Sequence, residues 1–503
     1  MTAHPDRRSF LAASSLSAGA LAFLDRLPAV SAADAQADPN LVRIDSGIEP
    51  LVRLVEETPR DKLLEEVGAR IKKGLAYRDV LTALLLAGVR NVPPRPTVGF
   101  KFHAVLVVNS AHLAALAGPD NQRWLPLFWA LDNFKNSQAQ AVKENNGWRM
   151  KSVDEARLPS REKGREAWIQ AMDNWDEEAA DAATAALART ATPAELFELF
   201  ARYGCRDFRD IGHKAIYVAN GFRALEVIGW QHAEPVLRSM AYALLQHEGE
   251  NPAKRDGEPD RCGRRNAELA RKIKPGWSNG QTSDRETSQL LAASRTASDA
   301  ELCESVVAIV NGGVSPQTVW DGLFLAGGEL LMRQPGIVAL HSLTSLNALH
   351  YAFEHTTNEA DRKLFLLQAA AFVPLFRGAM KGRGKVGENR IDELQAEEGG
   401  SEVTAGQVYS TLSRDKTAAA RMALGLMKKD PRGAKQLIDA GRLLIFLKGT
   451  DSHDYKFSSA AMEDSSNISP AWRDRFLAAS LFWLKGSGAG DSPIVKRTMA
   501  ALA

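Results

Sequence analysis

Four histidines fall into two pairs at nearly the same offset: His103 and His341 stand 238 residues apart, His213 and His453 240 apart. The text around the first pair also repeats, His103–Ala–Val–Leu–Val–Val–Asn109–Ser–Ala–His112 against His341–Ser–Leu–Thr–Ser–Leu–Asn347–Ala–Leu–His350. Imidazole nitrogens are good ligands for transition metals, and four helices each giving one inward side chain can build such a site in an all-α protein. A single histidine on a helix is more often a hydrogen-bonded core or surface residue. Duplicated core positions drift among aliphatic residues, as most neighbours here have, whereas the histidines have not. The set therefore predicts one metal site shared by two halves of the chain.

Helical geometry sorts the other candidates. His112 and His350 each follow a site histidine by nine residues, half a turn away at roughly 100° per residue, so both are expected to be structural or to support the site from behind. Asn109 and Asn347, with Asp451, are candidates to orient the imidazoles. His232, His247 and His355 have no counterpart in the other half and default to surface or core. Lys456 breaks the symmetry: it lies three residues after His453, on the same helix face, where the first half carries Ile216. As an ammonium it would be repelled from a cation site; neutral, it could react with carbon dioxide to give a carbamate, an anionic oxygen ligand. The ordinary alternative is a lysine whose stem lies along the protein and whose amine reaches solvent.

The elements that must position these residues read as helices nearly throughout, with apolar residues three and four apart and no sustained alternation of strand type. Thr192–Pro193, Ser315–Pro316 and Ser469–Pro470 are helix starts. Leu63 to Gly88 aligns without a gap to Leu302 to Gly327, sharing Leu63/Leu302, Glu65/Glu304, Val67/Val306, Gly74/Gly313 and Val80/Val319. The expected fold is all-α: a single large helical domain of two tandem repeats related by a pseudo-twofold axis, with the metal site between them. Residues 36–255 form the first half, 256–290 a solvated linker with one helix near Arg264 to Lys274, and 291–503 the second half. Residues 1–35 read as a twin-arginine export signal, from Asp6–Arg7–Arg8–Ser9–Phe10–Leu11, an apolar run and small-residue cleavage positions. That implies a periplasmic or extracellular protein. Three cysteines (Cys205, Cys262 and Cys303) without Cys–x–x–Cys spacing suggest free thiols. A net charge of +2 calls for neither nucleic acid nor an anionic membrane, and no membrane contact is expected once the signal is removed.

At the histidine segments the chain resembles the questin oxidase-like family. His213–Lys–Ala–Ile–Tyr–Val–Ala–Asn–Gly–Phe–Arg–Ala–Leu–Glu226, His341–Ser–Leu–Thr with Leu367–Gln–Ala–Ala–Ala, and Asp451–Ser–His453–Asp–Tyr–Lys456–Phe carry the likeness, which is sparse but spans most of the chain after residue 35. Only the last motif is specific alone, and Ser458 stands where that family has Thr. Family members that open anthraquinone rings are non-haem iron oxygenases, and older descriptions call the reaction a Baeyer–Villiger oxidation using a nicotinamide cofactor. The resemblance implies Fe(II) held by His103, His213, His341 and His453 with Lys456 as a carbamate, and a small organic substrate, aromatic or quinone-like, reacting with dioxygen.

Imidazole alone suits iron, manganese or zinc. The sequence offers no flavin or NAD fingerprint: its one Gly–x–Gly–x–x–Gly, Gly382 to Gly387, lies in a polar stretch with no strand before it. Haem would use two histidines and leave two over. The remaining rival is an exported helical scaffold that has merely kept its histidines.

Overall fold

A computed structural model describes residues 47–397 and 403–503. The segment 1–35, expected to be an export signal, lies outside them. Among the described residues the chain is all-α, 22 helices and no strand. The first eleven are α1 (Glu49–Glu57), α2 (Arg60–Ile71), α3 (Tyr77–Asn91), α4 (His103–Ala117), α5 (Trp124–Glu144), α6 (Gly164–Asn174), α7 (Glu177–Thr190), α8 (Pro193–Gly204), α9 (His213–Ile228), α10 (Ala233–Leu244) and α11 (Glu258–Ala270). The second eleven are α12 (Asp284–Ser294), α13 (Asp299–Asn311), α14 (Pro316–Arg333), α15 (Ile337–His355), α16 (Glu359–Lys381), α17 (Ala405–Leu412), α18 (Lys416–Lys429), α19 (Gly433–Lys448), α20 (Ser452–Asn467), α21 (Pro470–Ser480) and α22 (Ile494–Leu502).

Local chemistry explains many of the boundaries. Thr192 caps α8 through a reciprocal pair with Glu195, and Ser315 accepts from the Gln317 amide at the start of α14. Gly74 and Gly313, matched in the two halves, end their helical stretches with φ of +96° and +84°, a conformation costly for a side chain. Gly88 and Gly327 also match. A Cβ there would press on Val105 of α4 and on Leu343 and Leu346 of α15, so both let one helix lie close on the next.

Packing recurs in the same order. The contacts α1 with α3, α2 with α5, α3 with α4, α4 with α5, α4 with α9, and α7 with α10 reappear eleven helices later. The last helix of each set crosses over: α11 packs on α13 and α16, while α22 packs on α2 and α5. Thus the segment expected as a solvated connection carries α11, whose buried Asn266 donates to the Leu367 carbonyl and the Gln368 side chain of α16. Arg497 of α22 correspondingly pairs with Asp132 of α5.

At the centre α4, α9, α15 and α20 form a closed ring, each touching two others. The two stretches apolar and long enough to cross a membrane by composition, 100–117 and 359–381, are 72% and 67% buried within the protein. They are core helices here, mostly buried against their neighbours.

Candidate metal centre

His103 and His213 are the first residues of α4 and α9, His341 is the fifth of α15 and His453 the second of α20. The four rings meet where these helix N-termini converge. Ring centroids lie 4.9 Å apart for His103–His213, 4.3 Å for His213–His341, 5.1 Å for His341–His453 and 4.5 Å for His103–His453. The ligand nitrogens of His103, His213 and His341 all fall within 4.8 Å of one another. His453 closes the ring from the more accessible side, its side chain 14% exposed.

Each ring has one nitrogen already committed. Nδ1 of His103 faces the Phe100 carbonyl at 2.7 Å, that of His213 the Asp210 carbonyl at 2.5 Å, and that of His341 the Ile337 carbonyl at 2.6 Å. Nδ1 of His453 faces the Asp451 carboxylate at 3.1 Å. Carbonyl oxygens only accept, so Nδ1 of His103, His213 and His341 carries the hydrogen and Nε2 of each is left to face inward. Burial, reinforced by the Lys456 charge and neighbouring rings, holds His103, His213 and His341 well below the usual imidazole range, so these rings are neutral.

The consequence is a frustrated contact: Nε2 of His103 and of His213 stand 3.0 Å apart with two lone pairs opposed. A metal ion bound by both nitrogens relieves this, as does a proton shared between them. Two nitrogens about 2.1 Å from one metal and at a right angle stand about 3.0 Å apart. Nε2 of His453 is buried with no partner, and the Lys456 amine lies 3.3 Å from Nε2 of His341. The donor set therefore fits a metal ion.

Two of the supporting carbonyls come from strained backbone. Phe100 has φ +48°, and Asp210 and Ile211 have φ +48° and +45°, all non-glycine residues in the left-handed region. The two turns are tied by Thr97 Oγ1 donating to Asp210 Oδ1 at 2.5 Å. Strain of this kind costs about 1–3 kcal/mol per residue and persists where surrounding structure holds it. Here it aims the carbonyls that orient two imidazoles.

Lys456 does not reach solvent. It is 2% exposed, one turn below His453, and burial pushes its amine down to about 7, opposed in part by Asp451. Asp451 contacts His453 as expected of an orienting group. Asn109 and Asn347 do not orient the rings: Asn109 donates to Asn220, and Asn347 bonds Arg223, Glu463 and Asp464, deeper in the ring of helices. The backbone carbonyls take that role instead, because they lie within the same turn as each ring. His112 packs beside Tyr77, and His350 beside Trp320 and Phe324, both away from the cluster. His355 bonds back to the Tyr351 carbonyl, His247 lies edge-on to Trp175, and His232 is partly buried elsewhere.

The rim is apolar. Of the three large hydrophobic side chains that stand most exposed among the described residues, two are Phe100 (77%) and Ile337 (42%), the residues whose carbonyls hold His103 and His341. The cysteines are buried free thiols, and the Gly382 to Gly387 stretch is a loop after α16 with no strand before it. No protein-family model, no curated protein and no solved structure matches the chain.

Proposed function

We propose that the chain is a metal-dependent oxidoreductase, an oxygenase related to the questin oxidase-like family. It uses Fe(II) held by His103, His213, His341 and His453, with Lys456 as a carbamate, to react dioxygen with a small aromatic or quinone-like substrate. The observation that carries this reading is the 3.0 Å approach of two bare Nε2 lone pairs, in rings whose other nitrogen is fixed by an acceptor. Four helix N-termini add positive potential at the same point, which opposes a bare dication and favours a negative group beside it. A carbamate on Lys456 meets that need, whereas an ammonium aggravates it.

When bound, Fe(II) supplies the one-electron chemistry that dioxygen requires. The residues do the rest. Phe100, Asp210, Ile337 and Asp451 hold the rings in one tautomer and orientation. Packing within α4 and α15 buries His103 and His341 away from bulk water, while Phe100 and Ile337 offer an organic substrate an apolar approach. Export of the folded protein by residues 1–35 is part of the same proposal, since that route carries cargo whose cofactor is already in place.

Elemental analysis of the purified chain tests it. About one iron per chain, lost in His341→Ala while helical circular dichroism persists, is the expected result. A folded protein with no bound transition metal would favour the exported scaffold. Zinc in place of iron would keep the site and overturn the oxygenase.

A further inference from the structure

Four-helix interiors are normally apolar at the inward positions. This one is not. Along α9 from His213 the positions three, seven and ten residues on are Ile216, Asn220 and Arg223; along α20 from His453 they are Lys456, Ala460 and Glu463. All six line a narrow cleft between α4, α9, α15 and α20, together with Ser110 and Asn347. Its narrow interior has room for about one water-sized molecule. Buried polar groups of this kind are costly unless paired, and here Asn220 donates to the Leu106 carbonyl while Arg223 and Asn347 donate to Glu463, so the lining is a paired polar passage with space left beside it.

The passage has two ends. At the inner end is Lys456. At the outer end Arg223 of α9 bonds both carboxylate oxygens of Glu463 of α20, at 2.8 and 2.9 Å, and stacks on Tyr351 of α15 at 4.0 Å. Arg223 is 10% exposed and Glu463 37%, so this ion pair stands between the passage and solvent. The opposite face of the cluster is covered by the buried Gly99 backbone, where a Cβ would lie 3.5 Å from the His213 ring and 3.6 Å from the His103 ring. His453 is reachable from outside, but the lysine amine is a turn deeper.

We propose that this passage is the route by which carbon dioxide reaches the Lys456 amine, with the Arg223–Glu463 pair as its outer gate. The inference rests on the reading of Lys456 as a carbamate. The amine lone pair forms the new N–C bond, one C=O π pair moves onto oxygen, and the proton lost from nitrogen leaves to water in the passage. No electron is gained or lost, and carbon dioxide and water are the only co-reactants. The bore suits a slender triatomic solute and excludes an organic substrate, which keeps the modification separate from the apolar rim.

The test follows isotopically labelled bicarbonate entering the metal-free full-length protein, by the carbamate carbon resonance, with Lys456→Ala identifying the signal. Ala460→Leu fills the passage and should slow labelling about tenfold or more. Glu463→Gln breaks the gate without threatening the core and should speed it up to about fivefold. Unchanged labelling rates in both variants overturn the route while leaving the carbamate standing. Absence of any label in the wild-type protein overturns both.

Discussion

Lys456→Met should stabilise the metal-free protein. Lys456 is fully buried, and its amine has been moved from its ordinary 10.5 to about 7 by loss of solvation. In that interval the unfolded chain binds the proton more strongly than the folded one, so the stability of the wild-type protein rises with pH from about 7 to 10.5. Integrated to pH 7, the burden of burying this amine is about 4 kcal/mol. Methionine has similar length, fills the same space and carries no charge, so it removes that burden with little change in packing. Denaturant unfolding of both proteins in chelator and carbonate-free buffer measures it. The variant should exceed the wild type by about 4 kcal/mol near pH 7 and lose its advantage towards pH 10.5. Added bicarbonate should raise the wild type alone, because only it can convert the amine into an anion that the helix N-termini favour. A Lys456→Met protein less stable than wild type at every pH refutes the reasoning, since it would mean that the amine is satisfied where it lies.

Other perturbations bear on the support of the cluster. Gly212 precedes His213 with φ +78° and faces Ser345 closely. Gly212→Ala should therefore cost about 1–2 kcal/mol in the backbone alone and weaken metal binding by calorimetry; unaltered affinity would show that this turn does not place His213. Asp451→Ala removes both the acceptor for His453 Nδ1 and the cap of α20, and should lower metal affinity about 10–100-fold. An equal affinity would leave His453 outside the site. Burial holds His112 and His350 down at about 4 against an ordinary 6.5. The unfolded chain binds more protons in that window, so stability should fall as pH drops from 6.5 to 4, by about 3 kcal/mol for each. His112→Gln should flatten the slope in urea titrations; an unchanged slope would place the charge elsewhere.

The positions of the four histidines were legible because helices repeat their contacts at a fixed spacing, so a common offset in sequence becomes a common rung in space. The all-helical class was legible for the same reason. What holds the rings was not. Asn109 and Asn347 were plausible by residue type, yet the acceptors are main-chain oxygens of Phe100, Asp210 and Ile337, and a carbonyl has the same chemistry under any side chain. Nothing in the letters Phe–Lys–Phe or Asp–Ile–Gly marks a left-handed turn except Gly212 itself. Arg223 and Glu463 stand 240 residues apart, the His213–His453 offset. That spacing could have found the outer end of the passage had charged pairs been compared along with histidines.

That pair and the lysine share a logic. In the ring of α4, α9, α15 and α20, α4 lies across from α15 and α9 across from α20, so an ionisable residue present at matching positions of two such helices would face its own kind. Like charges in a buried bundle repel, and two lysines beside a metal could not both be accommodated. Imidazoles escape the problem because they are neutral ligands, which is why a histidine can occupy all four places. Charged positions differ between these helices: Ile216 and Lys456 line the same cavity, and Arg223 pairs with Glu463. Placing Glu at 223 by Arg223→Glu should therefore set two carboxylates at the outer gate and loosen α9 from α20 more than Arg223→Ala does. The reverse double exchange, Arg223→Glu with Glu463→Arg, should restore the wild-type midpoint. A double exchange no better than the single one would show that Asn347 and Tyr351 hold Arg223 independently of its charge.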